Sequence, residues 1–333
     1  MADVHLVTGA AGYIGSHVVR ALADRGEVVI GLDRVPLPAG LDGRCQFVPA
    51  DLLDRPALER VLAAHTITAV CHLAGRIAVG ESVADPSLYY QDNLVATANL
   101  LSAMRGAGVT RLIFSSTAAV YGTPETTPIP ESHPCRPINP YGRTKRAIEE
   151  MLGDFHHAYG LDSVSLRYFN AAGAIADGTL VEAHQPETHL IPLLLDHGSG
   201  QRPGPFQLFG TDYPTDDGTA VRDYVHVVDI AQAHLAALDY VTEHPGAHAF
   251  NLGSGHGASV RTVIETVEAV TGRPVEVKRV ARRAGDPASL VADPSAARRT
   301  LGWTPAYPDL RSIVASAWAA HPAQTRIGQG ARV

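Results

Sequence analysis

Residues 4–26, VHLVTGAAGYIGSHVVRALADRG, run from a short apolar strand through a glycine-rich turn into a helical pattern that stops at Gly26. Gly9, Gly12 and Gly15 form a G-x-x-G-x-x-G turn. Such a turn bends tightly, admits a phosphate close to the backbone and lets the helix pack on the sheet. The helix start adds unpaired N–H groups and the positive end of a dipole, which suits a pyrophosphate. The following stretch, EVVIGLD, is a second apolar strand closing on Asp33, 18 residues beyond Gly15. A carboxylate there accepts from adenosine ribose hydroxyls and repels a 2′-phosphate, favouring NAD over NADP. Arg34 works against that preference, because a neighbouring guanidinium can hold the phosphate.

Outward from this unit the pattern repeats. CQFVPADL (45–52) is a third strand, with Asp51 at its end as an adenine contact or a helix cap. A helix follows near Arg55–Ala64, and ITAVCHLAG (67–75) is a fourth strand. A helix over about Tyr90–Gly106 leads to RLIFSSTAAVYG (111–122), whose carboxyl end is polar, then a long helix over Pro140–Tyr159 and the strand SVSLRYFN (163–170). Apolar strands alternating with helices predict an α/β fold, a Rossmann-type doubly wound parallel sheet. Residues 171–225 are rich in Gly, Pro, Asp and Thr with one short helix near THLIPLLLDHG, the composition of a binding segment. VVDIAQAHLAALDYV and HAFNLG return to the sheet. The expected division is a dinucleotide-binding domain of 1–170 with 226–255, a smaller C-terminal α/β substrate domain of 171–225 with 256–320, and a flexible tail at 321–333.

Composition narrows the function. The chain has 333 residues and a formal charge of -7, so no basic stripe points to nucleic acid. Cys45, Cys71 and Cys135 are odd in number and widely spaced, which suggests neither disulfides nor a metal site. No apolar run spans a membrane and the N-terminus carries no leader pattern, so the expectation is a cytoplasmic chain.

Chemistry concentrates after the fifth strand. Tyr141 and Lys145, four apart in YGRTK, share a helix face. Ser115, Ser116 and Thr117 lie at a strand's carboxyl end, where open parallel sheets bind ligands. A phenol titrates near 10, and bringing it to about 7 takes roughly 4 kcal/mol. An ammonium at about 4 Å, in an effective dielectric of ~20, supplies about that much. The group therefore suits proton removal from an alcohol.

These residues resemble the extended short-chain dehydrogenase/reductase superfamily, and within it the UDP-glucose (UDP-galactose) 4-epimerases. The matching runs are VTGAAGYIGSH, AVGESVADPSLYYQDN, FSSTAAVYG, NPYGRTK, LRYFNAAGA, FGTDYPTDDGTAVRDYVHV, NLGSG and RRAGDPASLVAD, nearly the whole chain. The resemblance implies Tyr141 as general base and acid at a sugar 4-hydroxyl, Lys145 as its tuning partner and ribose contact, and Thr117 as a hydrogen-bond partner of the reacting oxygen. It implies an NAD site of Gly9, Gly12, Tyr13, Ile14, Gly15, Asp33, Asp51, Leu52, Leu73, Ala74, Asn93, Ser115, Tyr141, Lys145 and Tyr168. It implies UDP-sugar contacts from Thr117, Tyr141, Asn170, His189, Leu190, Gln207, Phe209, Arg222, Arg283 and Asp286, with two guanidiniums clamping the pyrophosphate. It also implies a homodimer through paired helices.

The chain departs from the pattern in places. His189 stands where many relatives carry Asn, and Ile77 where some carry Lys. Leu290 occupies the position that gates N-acetylated sugars, so a UDP-N-acetylglucosamine epimerase is a rival reading. A 4,6-dehydratase or decarboxylase needs acidic residues after the strand-end Thr, and Ala118 and Ala119 cannot move a proton. A simple dehydrogenase would release its reduced cofactor. An idle dinucleotide sensor would be expected to lose the Tyr or the Lys, and both are present.

Overall fold

The computed structural model describes residues 3–182, 187–283 and 286–323. Strands β1 (Val4–Thr8), β2 (Val28–Asp33), β3 (Gln46–Pro49), β4 (Ala69–His72), β5 (Arg111–Thr117) and β6 (Asp162–Tyr168) join one sheet with β10 (Ala247–Leu252). The order is β10-β6-β5-β4-β1-β2-β3 and every pair is parallel. The chain winds one way from β1 to β3, then crosses back to β4 and winds the other way. The carboxyl ends of β1 and β4 therefore flank the switch point, where ligands of such sheets sit.

Strand alternation builds both faces of the sheet. Val7, Cys71 and Ile113 turn toward α1 (Tyr13–Asp24) and α8 (Val227–Glu243), meeting Val18, Leu22, Ile230 and Leu238. Their sequence neighbours Leu6, Val70, Leu112 and Phe114 turn toward α2 (Arg55–Ala64), α5 (Ala96–Ala107) and α6 (Pro140–Tyr159). Cys71 is wholly buried, and desolvation pushes its thiol up to about 12. All three cysteines are free.

The expected helix over Tyr90–Gly106 has a different start. It is preceded by α3 (Val79–Ala84) and α4 (Pro86–Tyr89), then runs through a widened turn, Tyr90–Val95, into α5. Pro86 at the first helical position and the Asp85 side chain, which accepts from Leu88 N at 3.2 Å, set this earlier entry.

The Gly- and Pro-rich stretch is more ordered than its composition suggests. It supplies β7 (Asn170–Ala172), β8 (Phe206–Phe209) and β9 (Val221–His226) besides α7 (Leu190–Ser199). A small sheet joins β9 to β7, to β11 (Gly257–Ser259) and to β13 (Ser289–Leu290), and β8 pairs with β12 (Val277–Val280). Beneath lie α7, α9 (Val260–Thr271) and α11 (Leu310–Ala320), sharing an apolar core of Leu194, Val263, Val267, Ile313 and Trp318. A short helix, α10 (Ser295–Thr300), packs beside β10. His321 is buried and meets Asp196 Oδ1 at 3.1 Å, so order extends past the expected start of the tail; residues 324–333 lie outside the described residues. No helix among the described residues is long and apolar enough to cross a membrane.

Candidate active site

The glycine turn closes the carboxyl end of β1. Gly9 adopts φ +72°, and a Cβ there would stand 2.6 Å from Ala74 N; a Cβ on Gly15 would overlap the Gly9 carbonyl. Those two glycines let strand, turn and helix touch. Gly12 is different, since a Cβ would meet only Gly9 O, at 3.2 Å. It begins α1 with no side-chain cap, whereas Asp54 and Asn139 cap α2 and α6. The amides at the start of α1 are left for a ligand.

A cleft opens here, lined by Gly9, Gly12, Asp33, Asp51, Leu52, Leu73 and Ala74. Asp33 Oδ2 accepts from Ala11 N at 3.0 Å, and Oδ1 accepts from Arg34 N at 2.7 Å, which locks the carboxylate against the turn. Asp51 accepts from Leu53 N at 2.9 Å, while the helix cap is Asp54, accepting from Ala57 N at 3.0 Å. The Arg34 guanidinium lies 3.7 Å from both Asp51 and Asp92. It is engaged by two carboxylates beside a third, a poor setting for a 2′-phosphate. Asp92 and Arg76, joined at 2.8 Å, also line this cleft and were missed by sequence reasoning; their proximity depends on the widened turn before α5.

Asn93 braces the floor. Its Oδ1 accepts from Arg76 N at 2.7 Å and its Nδ2 donates to Thr144 Oγ1 at 3.2 Å. His72 bridges Thr8 and Thr97 at 2.8 Å each; burial, then the nearby Lys145 ammonium, push it down to about 3, so the imidazole is neutral. Ile14 packs into the core, and the Tyr13 hydroxyl donates to Gly173 O at 2.6 Å, tying α1 to the segment beyond β7.

Tyr141 and Lys145 sit in the first turns of α6, both buried, beside the end of β5. Lys145 Nζ donates to Ser115 O at 2.9 Å and lies 4.8 Å from the Phe114 ring centroid. Burial pulls its pKa down to about 8, against the upward pull of Glu149. The Ser115 and Tyr168 hydroxyls are hydrogen-bonded to each other. Burial raises the Tyr141 phenol above its ordinary value, and a hydrogen bond with the Thr117 hydroxyl acts the other way. This corrects the sequence argument that Lys145 brings the phenol to neutrality: desolvation is the largest influence, and what opposes it is the Thr117 hydrogen bond rather than the ammonium. Positive charge must be added to the site before the phenol ionises easily.

Behind this pair lies a buried ionic relay that no motif announced. Glu149 Oε1 accepts from Ser116 Oγ at 2.6 Å and from Arg167 Nε at 2.9 Å, while Oε2 accepts from Arg167 Nη2 at 2.7 Å. Arg167 Nη1 donates to the Tyr121 hydroxyl at 2.9 Å, which donates to Asn251 Oδ1 at 2.7 Å. Helix α6 is thereby bonded to β5, β6 and β10.

The other expected ligand contacts cluster on the small sheets. Arg222 on β9 forms an ion pair with Asp286, and the Arg283 guanidinium lies 3.9 Å from the Phe209 ring centroid. Gln207 is exposed on β8, Asn170 is half-buried on β7, and Leu190 opens α7. His189 caps that helix between two carboxylates, Glu182 at 2.6 Å and Glu187 at 2.9 Å. Against the downward pull of burial they hold the imidazole up at about 10, so it is a cation in an ion-pair cluster. Ligand atoms of these three lie within 4.8 Å of one another, the one such grouping among the described residues.

A glycine turn at the switch point, with a hydroxyl, a phenol and an ammonium on the neighbouring strand and helix, defines a nicotinamide-dependent enzyme of the short-chain dehydrogenase/reductase type. The model of the NAD dependent epimerase/dehydratase family matches residues 5–253, and the chain belongs to that family, among the UDP-glucose 4-epimerases. It is 46% identical over 329 residues to a UDP-glucose 4-epimerase of Rhizobium meliloti, covering 97% of this chain and 98% of the relative. The crystal structure of UDP-glucose 4-epimerase from Brucella ovis in complex with NAD superposes with a TM-score of 0.91 at 44% identity, covering 95% and 98% of the two chains. That from Bifidobacterium longum in complex with NAD+ and UDP gives 0.91 at 39% identity, covering 98% and 100%.

Proposed function

We propose that this protein interconverts UDP-galactose and UDP-glucose by oxidising and re-reducing carbon 4 of the hexose on a retained NAD. The observation that carries the reading is the hydrogen-bonded Thr117–Tyr141 pair at the carboxyl end of β5, with a buried lysine one helical turn on, followed by the inert Ala118 and Ala119.

The residues present fit NAD. The first amides of α1, from Tyr13 and Ile14, are offered to its pyrophosphate beside Gly12, Asp33 takes the adenosine ribose, and Asn93, Ser115 and Tyr168 line the nicotinamide end. Lys145 donates to the nicotinamide ribose. When bound, the cofactor accepts hydride from carbon 4 and later returns it, and the positive charge of its oxidised form assists phenol ionisation.

Tyr141 removes the proton of the 4-hydroxyl and gives it back after the sugar has turned. Thr117 holds the reacting oxygen. Arg222 and Arg283 hold the diphosphate and Asp286 the uridine ribose, with Asn170, Leu190, Gln207 and Phe209 around them; His189, its charge taken up by Glu182 and Glu187, stands at the entrance to α7. Inversion requires that the 4-keto sugar turn over without leaving. Binding energy therefore belongs on the UDP moiety, with few contacts to the hexose.

The division of labour follows the two sheets: residues 1–170 with 226–255 carry the cofactor, and 171–225 with 256–320 carry the UDP-sugar. Leu290, which packs against the cluster of Ala118 and Phe169, is intermediate between the bulky Tyr and the small residue of the family pattern, so it does not choose between the plain hexose and its 2-acetamido analogue. Exposed Tyr90 and Val95 at the entry to α5 support a homodimer through that helix and α6, checked by light scattering.

The test is direct. Purified protein incubated with UDP-galactose, without added NAD, is expected to form UDP-glucose to equilibrium. Protein that retains NAD but forms none overturns the proposal.

A further inference from the structure

Tyr213 lies in the loop between β8 and β9 that carries the run TDYPTDDGTAVRDY. The loop is built rather than loose. Tyr213 N donates to Gly218 O at 2.9 Å, Thr215 N donates to Tyr213 O at 2.8 Å, and Thr215 Oγ1 donates to Thr219 O at 2.7 Å. Gly210, at φ +75°, comes so close that a Cβ there would stand 2.5 Å from the Tyr213 ring. The Arg282 guanidinium lies over the ring face, 4.3 Å from its centroid. The side chain is therefore fixed, and only 5% of its surface is exposed.

Its hydroxyl has no hydrogen-bond partner among the described residues. A buried hydroxyl in that condition costs free energy, and native folds retain few of them without a reason. The charged groups that bear on this phenol are Asp286, Arg222, Arg282 and Asp212. Both carboxylates are already engaged, Asp286 by Arg222 and Asp212 by Arg282, whose Nε donates at 2.7 Å. Among the described residues this is thus a rigid donor set between paired guanidiniums and carboxylates, with no acceptor on its hydroxyl.

We infer that the Tyr213 hydroxyl is a further recognition group for the diphosphate of the nucleotide-sugar, donating to a phosphate oxygen held beside Arg222. The assignment rests on the UDP-sugar reading above. A neutral donor among fixed cations recognises the shape of the diphosphate without deepening the charge that the arginines already supply.

The experiment is calorimetric titration of NAD-loaded parent and Tyr213→Phe proteins with UDP and with uridine, alongside thermal unfolding with and without UDP. Expected are a loss of about tenfold in UDP affinity, unchanged uridine affinity, and a higher unfolding temperature in the absence of UDP, since Phe removes the unpartnered hydroxyl. Equal UDP affinity in the two proteins overturns the assignment, and equal losses for UDP and uridine overturn the choice of phosphate over nucleoside. A parent that binds no UDP overturns the substrate reading itself; a parent that binds it while the variant binds as well overturns only the role of Tyr213.

Discussion

Replacing Glu149 by Gln tests whether the buried relay behind the catalytic pair sets the charge of Lys145. Glu149 lies four residues beyond Lys145 on α6, a spacing that puts the Cβ atoms about 5–6 Å apart. At about 6 Å and an effective dielectric of ~20, a carboxylate stabilises an ammonium by roughly 3 kcal/mol, or about two pKa units. The charged ends diverge, Nζ toward Ser115 O and the carboxylate toward Ser116 and Arg167, so at a separation of about 10 Å the contribution is about one unit. Lys145 now titrates at about 8, so its expected value in the variant is near 7. His72 is neutral and adds nothing to the balance.

An ammonium is lost as pH rises, so the basic limb of the activity profile should move to lower pH by about one unit. Activity at pH 6 should persist, while activity at pH 8 should fall several-fold. Stability should fall too, because Arg167 keeps a buried charge without its partner; about 3–5 kcal/mol is expected, or roughly 5–15 °C in Tm. The assay is kcat/KM for UDP-galactose from pH 5.5 to 9.5 on folded, NAD-loaded variant, below its unfolding temperature. A basic limb that stays in place in such a protein refutes the electrostatic argument, whatever happens to Tm.

Lys145→Met should be almost inactive yet more stable than the parent at pH 7, by up to about 3 kcal/mol, because the buried ammonium is held below its unfolded pKa. The unfolded chain binds the extra proton between about pH 8 and 10.5, so the parent gains stability as pH rises through that window and the advantage of Met should vanish by about pH 10.5; unfolding curves at pH 7 and 10 check it. Tyr141→Phe should cut kcat by roughly 10²–10⁴-fold while NAD content and Tm stay near parent values, as absorbance and melting of the purified proteins would show. Leu290→Tyr should abolish any turnover of the 2-acetamido substrate and spare UDP-glucose, measured on both sugars side by side.

The parts of the fold with local signals were legible in the sequence. Helices Arg55–Ala64 and Pro140–Tyr159 end where their chemistry says they should, with Asp54 and Asn139 capping, Pro56 and Pro140 at the first positions, and Gly160 stopping the second in a left-handed turn. Strands β7, β8, β9, β11, β12 and β13 were not foreseen, because they are two to six residues long and pair with segments far away in the chain. At the site, sequence spacing brought Tyr141 and Lys145 to one face, but it could not weigh burial. Desolvation reverses the expected direction of the phenol's shift. Arg76 and Glu149 fall outside every matching run, and Asp92 and Tyr213 fall inside runs that assign them no role; each acquires its role from a neighbour that only the tertiary fold supplies.

Strand β10 enters the sheet after a long excursion through the smaller sheets, and its Asn251 is the last link of a chain of bonds that reaches back through Tyr121 and Arg167 to Glu149, one helical turn from Lys145. The primary grip on the reactive helix, Glu149 to Ser116 and Arg167, thus lies wholly within the chain before β7, and β10 adds the outer brace, Asn251 accepting from the Tyr121 hydroxyl.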